Sequence, residues 1–128
     1  MRIEGWESRL AEYLASAKPF QWGVNDCALW TADWIRIATG RTLTPDNCTY
    51  DSEETAAQYL DSVGYDSAAD LADYHLKTVS LNFAQRGDLM LHPVGTLGIC
   101  NGVFSHFLTF DGLIRFPTNN CIRAWKVD

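Results

Sequence analysis

No run in this sequence approaches the roughly 18 to 20 uninterrupted apolar residues of a membrane helix, which excludes direct helical insertion into a bilayer. A surplus of positive charge is also lacking. Ten Lys and Arg stand against 16 Asp and Glu, a formal net charge of −6, whereas nucleic-acid binders carry a basic footprint. The same balance disfavours an anionic membrane surface. No C-x-x-C pair occurs among Cys27, Cys48, Cys100 and Cys121, so the zinc and dithiol signatures are missing. Gly87, Gly98 and Gly102 form no phosphate-cradling pattern, which leaves a nucleotide site without support. Nothing in the residues asks for a metal or any other cofactor. The N-terminal stretch Met1-Arg2-Ile3-Glu4-Gly5-Trp6-Glu7 is too acidic and polar for a signal peptide. The expectation is a chain that stays where it is made unless a partner carries it out, with free thiols rather than disulfides.

What is present is an ordinary globular composition. The 128 residues are 47% hydrophobic and 20% charged, which fits one domain able to bury a core of its own. No linker, internal repeat or low-complexity segment interrupts them. Charge, however, is uneven. Residues 1–80 hold 13 acidic and six basic side chains, against three and four in residues 81–128. Between Arg41 and Lys77 lie eight carboxylates and no Lys or Arg. This segment reads as a solvated helical face or as a docking surface for a basic partner, and the residues alone do not decide.

Periodicity predicts helices first and strands second. Trp6, Leu10, Tyr13, Leu14 and Ala17 recur at helical spacing until Lys18-Pro19 stops them. Asn25 or Asp26 can cap a second helix that Gly40 ends. Its inward stripe is Cys27, Trp30, Thr31, Trp34, Ile35 and Ala38. Ser52 caps a short acidic helix through Leu60, and Ser67 with Asp70 reads as a capping pair for a helix to about His75. His75 then serves as a favourable partner of that helix's dipole. After residue 80, short apolar or alternating runs end at His92-Pro93, Asn101-Gly102, Asp111-Gly112 and Pro117 to Asn120, the pattern of an antiparallel meander. The fold class is α+β, with a helical part over about 1–80, an acidic insert at 42–80 and a sheet part over about 86–128.

Cys27 is the residue with chemistry in it. The first turn of a helix offers unpaired N–H groups and a dipole that favour a thiolate, the nucleophile of cysteine hydrolases. A buried Cys beside Trp30 and Trp34 is equally at home as packing. Trp22, in the loop before Cys27, is the one tryptophan that could wall a substrate groove; Trp30 and Trp34 belong to the core. Asp26 reads as a helix cap, and Cys48, Cys100 and Cys121 read as packing or surface residues, the last two in strands.

The stretch Phe20-Gln21-Trp22-Gly23-Val24-Asn25-Asp26-Cys27, followed by Arg86-Gly87-Asp88-Leu89, resembles the NlpC-type cell-wall cysteine peptidases, which are compact papain-like enzymes. The resemblance covers about residues 20–38 and 86–127. It is closest to the small NlpC-like proteins of phage tail-gene clusters, through Asp26-Cys27-Ala28-Leu29-Trp30 and Arg123-Ala124-Trp125. It implies Cys27 as nucleophile, with the next two strands bringing an imidazole and the polar residue that orients it. The family strand reading His-Val-Gly-Ile-Tyr is Thr96-Leu97-Gly98-Ile99-Cys100 here, so Thr96 holds the base position. Threonine cannot accept a proton from a thiol at neutral pH. His106 falls where the family has its second His, and Ala28-Leu29 replace the usual Ser-Gly.

Three outcomes stay open: a Cys27–His106 dyad, His92 folded back into the vacant place, or a degenerate site in which Cys27 is a packed thiol. The resemblance implies a phage tail or tail-tip assembly protein with a degenerate site, reaching the cell envelope as part of the virion. Its partners would be other tail proteins, with the acidic segment 46–73 as a first contact surface. The alternative is an active peptidase or amidase cutting peptidoglycan stems through Cys27. A third reading is an intracellular cysteine amidase or acyltransferase unrelated to phage.

Overall fold

The computed structural model describes residues 1–43 and 49–128. Cys48 and Asp46 lie outside the described residues. Four α-helices precede the six strands of an antiparallel sheet. The first helix, α1, spans Trp6–Ala15, and α2 spans Cys27–Thr39. Asp26 caps α2 by accepting from the Leu29 N–H, and Gly40 ends it at φ +80°, where a side chain would be strained. Asn25 does not cap the helix. Its amide donates to the carbonyls of Lys18 and Pro19 and closes the preceding loop.

Helix α3 is Glu53–Ser62 and α4 is Ala68–His75. Ser52 and Thr55 make a reciprocal capping box at the start of α3. At α4 the reciprocity is broken. Ser67 accepts from the Asp70 N–H, but the Asp70 carboxylate accepts from Asp66 instead of from the cap residue. None of the ten residues of α3 is buried.

The strands are β1 (Thr78–Val79), β2 (Leu89–Leu91), β3 (Leu97–Cys100), β4 (Phe104–Thr109), β5 (Gly112–Pro117) and β6 (Arg123–Trp125). Their order is β1-β6-β2-β3-β4-β5. Only β2 to β5 form the expected meander. The last strand returns across the sheet to pair with both β2 and β1, and β1 lies within the stretch read as helical. Cys121 precedes β6, in the turn after the 3-10 segment Thr118–Asn120, and is not in a strand.

Side chains alternate between the two faces of the sheet. Leu89, Leu91, Leu97, Ile99, Leu108 and Trp125 face the helices and pack with Leu10, Trp30, Trp34 and Ile35. Met90, Cys100, Phe107 and Ala124 face the other way and form a smaller core with Cys121. One apolar cluster therefore spans the helical and sheet parts. Two of the three buried indoles among the described residues bind across it: Trp34 Nε1 donates to the Gly87 carbonyl at 2.9 Å and Trp125 Nε1 to Asp73 at 2.8 Å, whereas the Trp30 Nε1 has no partner there. Gly98 carries no side chain because a Cβ there would stand 2.3 Å from the Phe107 ring. Among the described residues, no helix is long and apolar enough to cross a membrane.

Candidate functional site

The loop before α2 is built to deliver Cys27. Gln21 and Asn25 form a one-pair bridge, and Gly23 turns between them at φ +75°. A Cβ on Gly23 would meet the Tyr50 carbonyl oxygen at 1.8 Å, so this loop and the stretch of chain leading into α3 touch backbone to backbone. Asp26 is buried and spends both oxygens: Oδ2 accepts from the Gly23 N–H at 3.0 Å and Oδ1 from the Leu29 N–H at 2.9 Å. Cys27 is then the first residue of α2, half-buried against β3.

Two influences compete at the thiol. Burial pushes its pKa up, and the neighbouring Asp26 charge adds to that; backbone N–H groups, with Leu97 foremost, pull it down. Burial wins, so the thiol is held above its ordinary value and stays protonated at neutral pH. The helix start alone predicts the opposite sign. The difference arises because the desolvation penalty comes from the strand and helices stacked over the sulfur, which the first turn of a helix does not reveal.

The three positions considered for the base lie apart. Thr96 immediately precedes Leu97, the residue whose backbone meets the Cys27 thiol. His92 is on the other side of the sheet. Its ring packs on Phe116 and Phe107, with centroids 4.2 and 5.3 Å away, and its Nδ1 accepts from the Val94 N–H. The physical reason is strand parity: His92 continues the Met90 side of β2, which turns away from α2.

His106 does face the helices, opposite Ile99 in the β3–β4 register. It is bonded to Asn101, not to Cys27: Asn101 Nδ2 and His106 Nε2 are 3.5 Å apart. Arg86 Nε donates to Asn101 Oδ1 at 3.1 Å, which orients the amide so that its NH2 points at the imidazole. With the amide so placed, Nε2 faces a donor at the outer limit of hydrogen-bond distance, and in that arrangement the neutral ring carries its proton on Nδ1. That Nδ1 is buried and has no partner among the described residues. Burial, with the Arg115 charge across the β4–β5 pair, lowers the His106 pKa.

Asn101 was legible only as the first residue of an Asn-Gly turn; its link to His106 depends on hairpin register. The structure also borders Cys27 with a cavity of about 260 Å³ that no sequence motif announces. It opens between α2, α3 and α4, with Leu89 and Leu97 of the sheet behind it. Trp22 stands on its wall, and its ring packs with Phe20 and Phe110. His75 borders the same cavity from the end of α4, while its carbonyl accepts from Arg41. Among the described residues, no three His, Cys, Asp or Glu side chains converge as a metal ion would require.

The sequence profile of a family described as Domain of unknown function (DUF6950) matches residues 1–127. The chain belongs to the DUF6950 family. No curated protein and no solved structure matches it. In this DUF6950 chain the surroundings of Cys27 are set by its own geometry. That geometry gives a protonated thiol, an imidazole tied to an amide on the same sheet face, and an apolar cavity between the helices.

Proposed function

We propose that this protein is a structural component of a phage tail or tail tip, built on an NlpC-like, papain-related scaffold whose catalytic site is degenerate. The reading is supported by the order of the Asp26-Cys27, Gly87-Asp88-Leu89 and Arg123-Ala124-Trp125 motifs, and by Thr96 at the base position. The observation that carries the degenerate-site reading is that His106 Nε2 faces the Asn101 amide, 3.5 Å away. The motif residues also have structural roles that survive without turnover: Asp26 caps α2, and Asp88 bonds the two ends of the chain. Partners would be neighbouring tail proteins, and the particle would carry the chain to the cell envelope.

The acidic segment has a smaller free surface than its composition suggests. Asp51, Asp70 and Asp73 accept hydrogen bonds within the fold, whereas Glu54, Asp61 and Asp66 are polar side chains on and beside α3, in which no residue is buried. Those three carboxylates are where a basic partner would dock.

The test is direct. Purified protein is incubated with peptidoglycan and with soluble stem peptides, and tail particles are analysed by mass spectrometry for the chain. No turnover, together with stoichiometric presence in particles and normal assembly of Cys27→Ser, is the expected result. Turnover by the wild type that Cys27→Ala abolishes in a folded protein overturns the degenerate site, and absence from particles overturns the tail role.

One observation favours the active-peptidase reading. The N–H groups of Leu97, Ala28 and Cys27 all act on the Cys27 sulfur in the sense that stabilises negative charge. That reading needs an imidazole to swing from Asn101 to Cys27 when a substrate binds. A stem-peptide titration that moves the His106 ring resonances would be its signature.

A further inference from the structure

We propose that the cavity bordered by Cys27 binds a single aliphatic chain carrying a neutral or cationic head group. The cavity measures about 260 Å³. An apolar cavity of roughly 150 Å³ accommodates benzene, so this one has room for a chain of about ten carbon atoms. The space exists because alanines stand where larger residues would close it: Ala28 and Ala32 on α2, Ala56 and Ala57 on α3, Ala68 and Ala72 on α4.

Helix α3 makes the point from the other side. It has an apolar face, with Leu60 beside those two alanines, yet that face borders the cavity and none of its residues is buried in the core. A short helix is held in place by the apolar surface it covers. Here that surface is the cavity wall, and an aliphatic ligand would complete the contact. Water has little to bind in its place, because the walls are mostly hydrocarbon.

Charge selects the head group. Asp26 and Glu53 are the acidic residues among the described lining residues, and no Lys or Arg is among them. Among those residues His75, at the end of α4, is the only basic side chain. A fatty-acid carboxylate would meet like charge, whereas an alcohol or an amine would not. The inference is independent of whether Cys27 turns over a substrate and adds a ligand to either functional reading.

Trp22 on the cavity wall provides the readout. Full-length protein is titrated with 1-octanol, octylamine and octanoate while indole fluorescence, melting temperature and methyl resonances are followed. Saturable responses to octanol and octylamine, with octanoate at least tenfold weaker, are expected. Methyl shifts should concentrate at Leu60 and Leu71 and leave Leu108 in the sheet core unmoved. Ala57→Leu, checked for folding by circular dichroism, should weaken octanol binding at least tenfold. The proposal is overturned by no saturable response, by octanoate binding as tightly as octanol, or by shifts centred on Leu108. Undiminished binding in a folded Ala57→Leu protein overturns it as well. If that variant fails to fold, the methyl shifts of the wild type decide alone.

Discussion

Arg2 holds Asp88 across 86 residues of chain, with Nη2 2.6 Å from Oδ1 in a place where both side chains are nearly sealed from solvent. The same guanidinium donates to the carbonyls of Val127 and Arg86, and Asp88 also accepts from the N–H groups of Gln85 and Val127. One buried pair thus fastens the N-terminal segment, the start of β2 and the C-terminal segment together.

Removing one partner should be costly, because the other charge and two backbone donors are then buried without a counterpart. Asp88→Ala is expected to lower stability by about 3–5 kcal/mol. Urea unfolding of Asp88→Ala, Arg2→Ala and the double variant checks this. A loss below about 1 kcal/mol for the single aspartate change, the range of an exposed pair, would show that this pair is not what joins the termini.

Gly98 should tolerate no side chain. The Cβ of Gly98→Ala would lie 2.4 Å from the His106 carbonyl oxygen as well as 2.3 Å from Phe107, so trimming the ring alone cannot relieve it. A destabilisation of about 1–3 kcal/mol is expected, with little recovery in Gly98→Ala/Phe107→Leu. Full recovery in the double variant would mean that β3 and β4 are not spaced as described.

Cys27 should react slowly with iodoacetamide at pH 7 and accelerate only above the ordinary thiol pKa of about 8.5. The raised folded-state pKa also has a consequence for stability. The unfolded thiol ionises first, so the contribution is complete below the unfolded pKa and is lost as pH rises through the folded one. Tyr13 and Cys121 are shifted in the same direction. The Cys27 share is therefore read as wild type minus Cys27→Ala, from neutral pH to about 1.5 units above the ordinary thiol value. Fast alkylation at neutral pH would place the thiolate, rather than the thiol, in the folded protein.

His106 should titrate below an ordinary histidine, and Arg115→Gln should move its pKa upward without restoring it fully, since burial is the larger cause. Its folded-state pKa is depressed, so the stability it contributes is present above about pH 6.5 and is lost as pH falls, because the unfolded ring takes up its proton first. Ring-proton NMR against pH checks both statements. An Arg115→Gln titration identical to wild type would remove the charge from the account.

Much of the helical part is legible in the residues, because helix signals are local. Asp26, Ser52 and Ser67 cap within three residues of themselves, and Gly40 ends α2 in a conformation that side chains resist. The stripe of Trp30, Trp34, Ile35 and Ala38 is buried because spacing along one helix already puts it on one face. The return of β6 to the far side of β2 is not local. The run Arg123-Ala124-Trp125 would look the same had it paired with β5, and only its fit beside β1 and Leu89 selects the order.

By itself, the sequence determined an α+β chain with Cys27 at a helix start, Thr96 at the position before Leu97 and His106 on a strand. It also determined a net charge of −6 and the lack of a long apolar span. Only the tertiary structure decided that His92 turns to the opposite face, that His106 Nε2 faces the Asn101 amide, and that the Cys27 thiol is held above its ordinary pKa. The cavity behind that thiol is likewise a tertiary fact. The reason is common to all four. Strand register, desolvation and cavity shape are sums over neighbours distant in the chain, and no stretch of residues contains them.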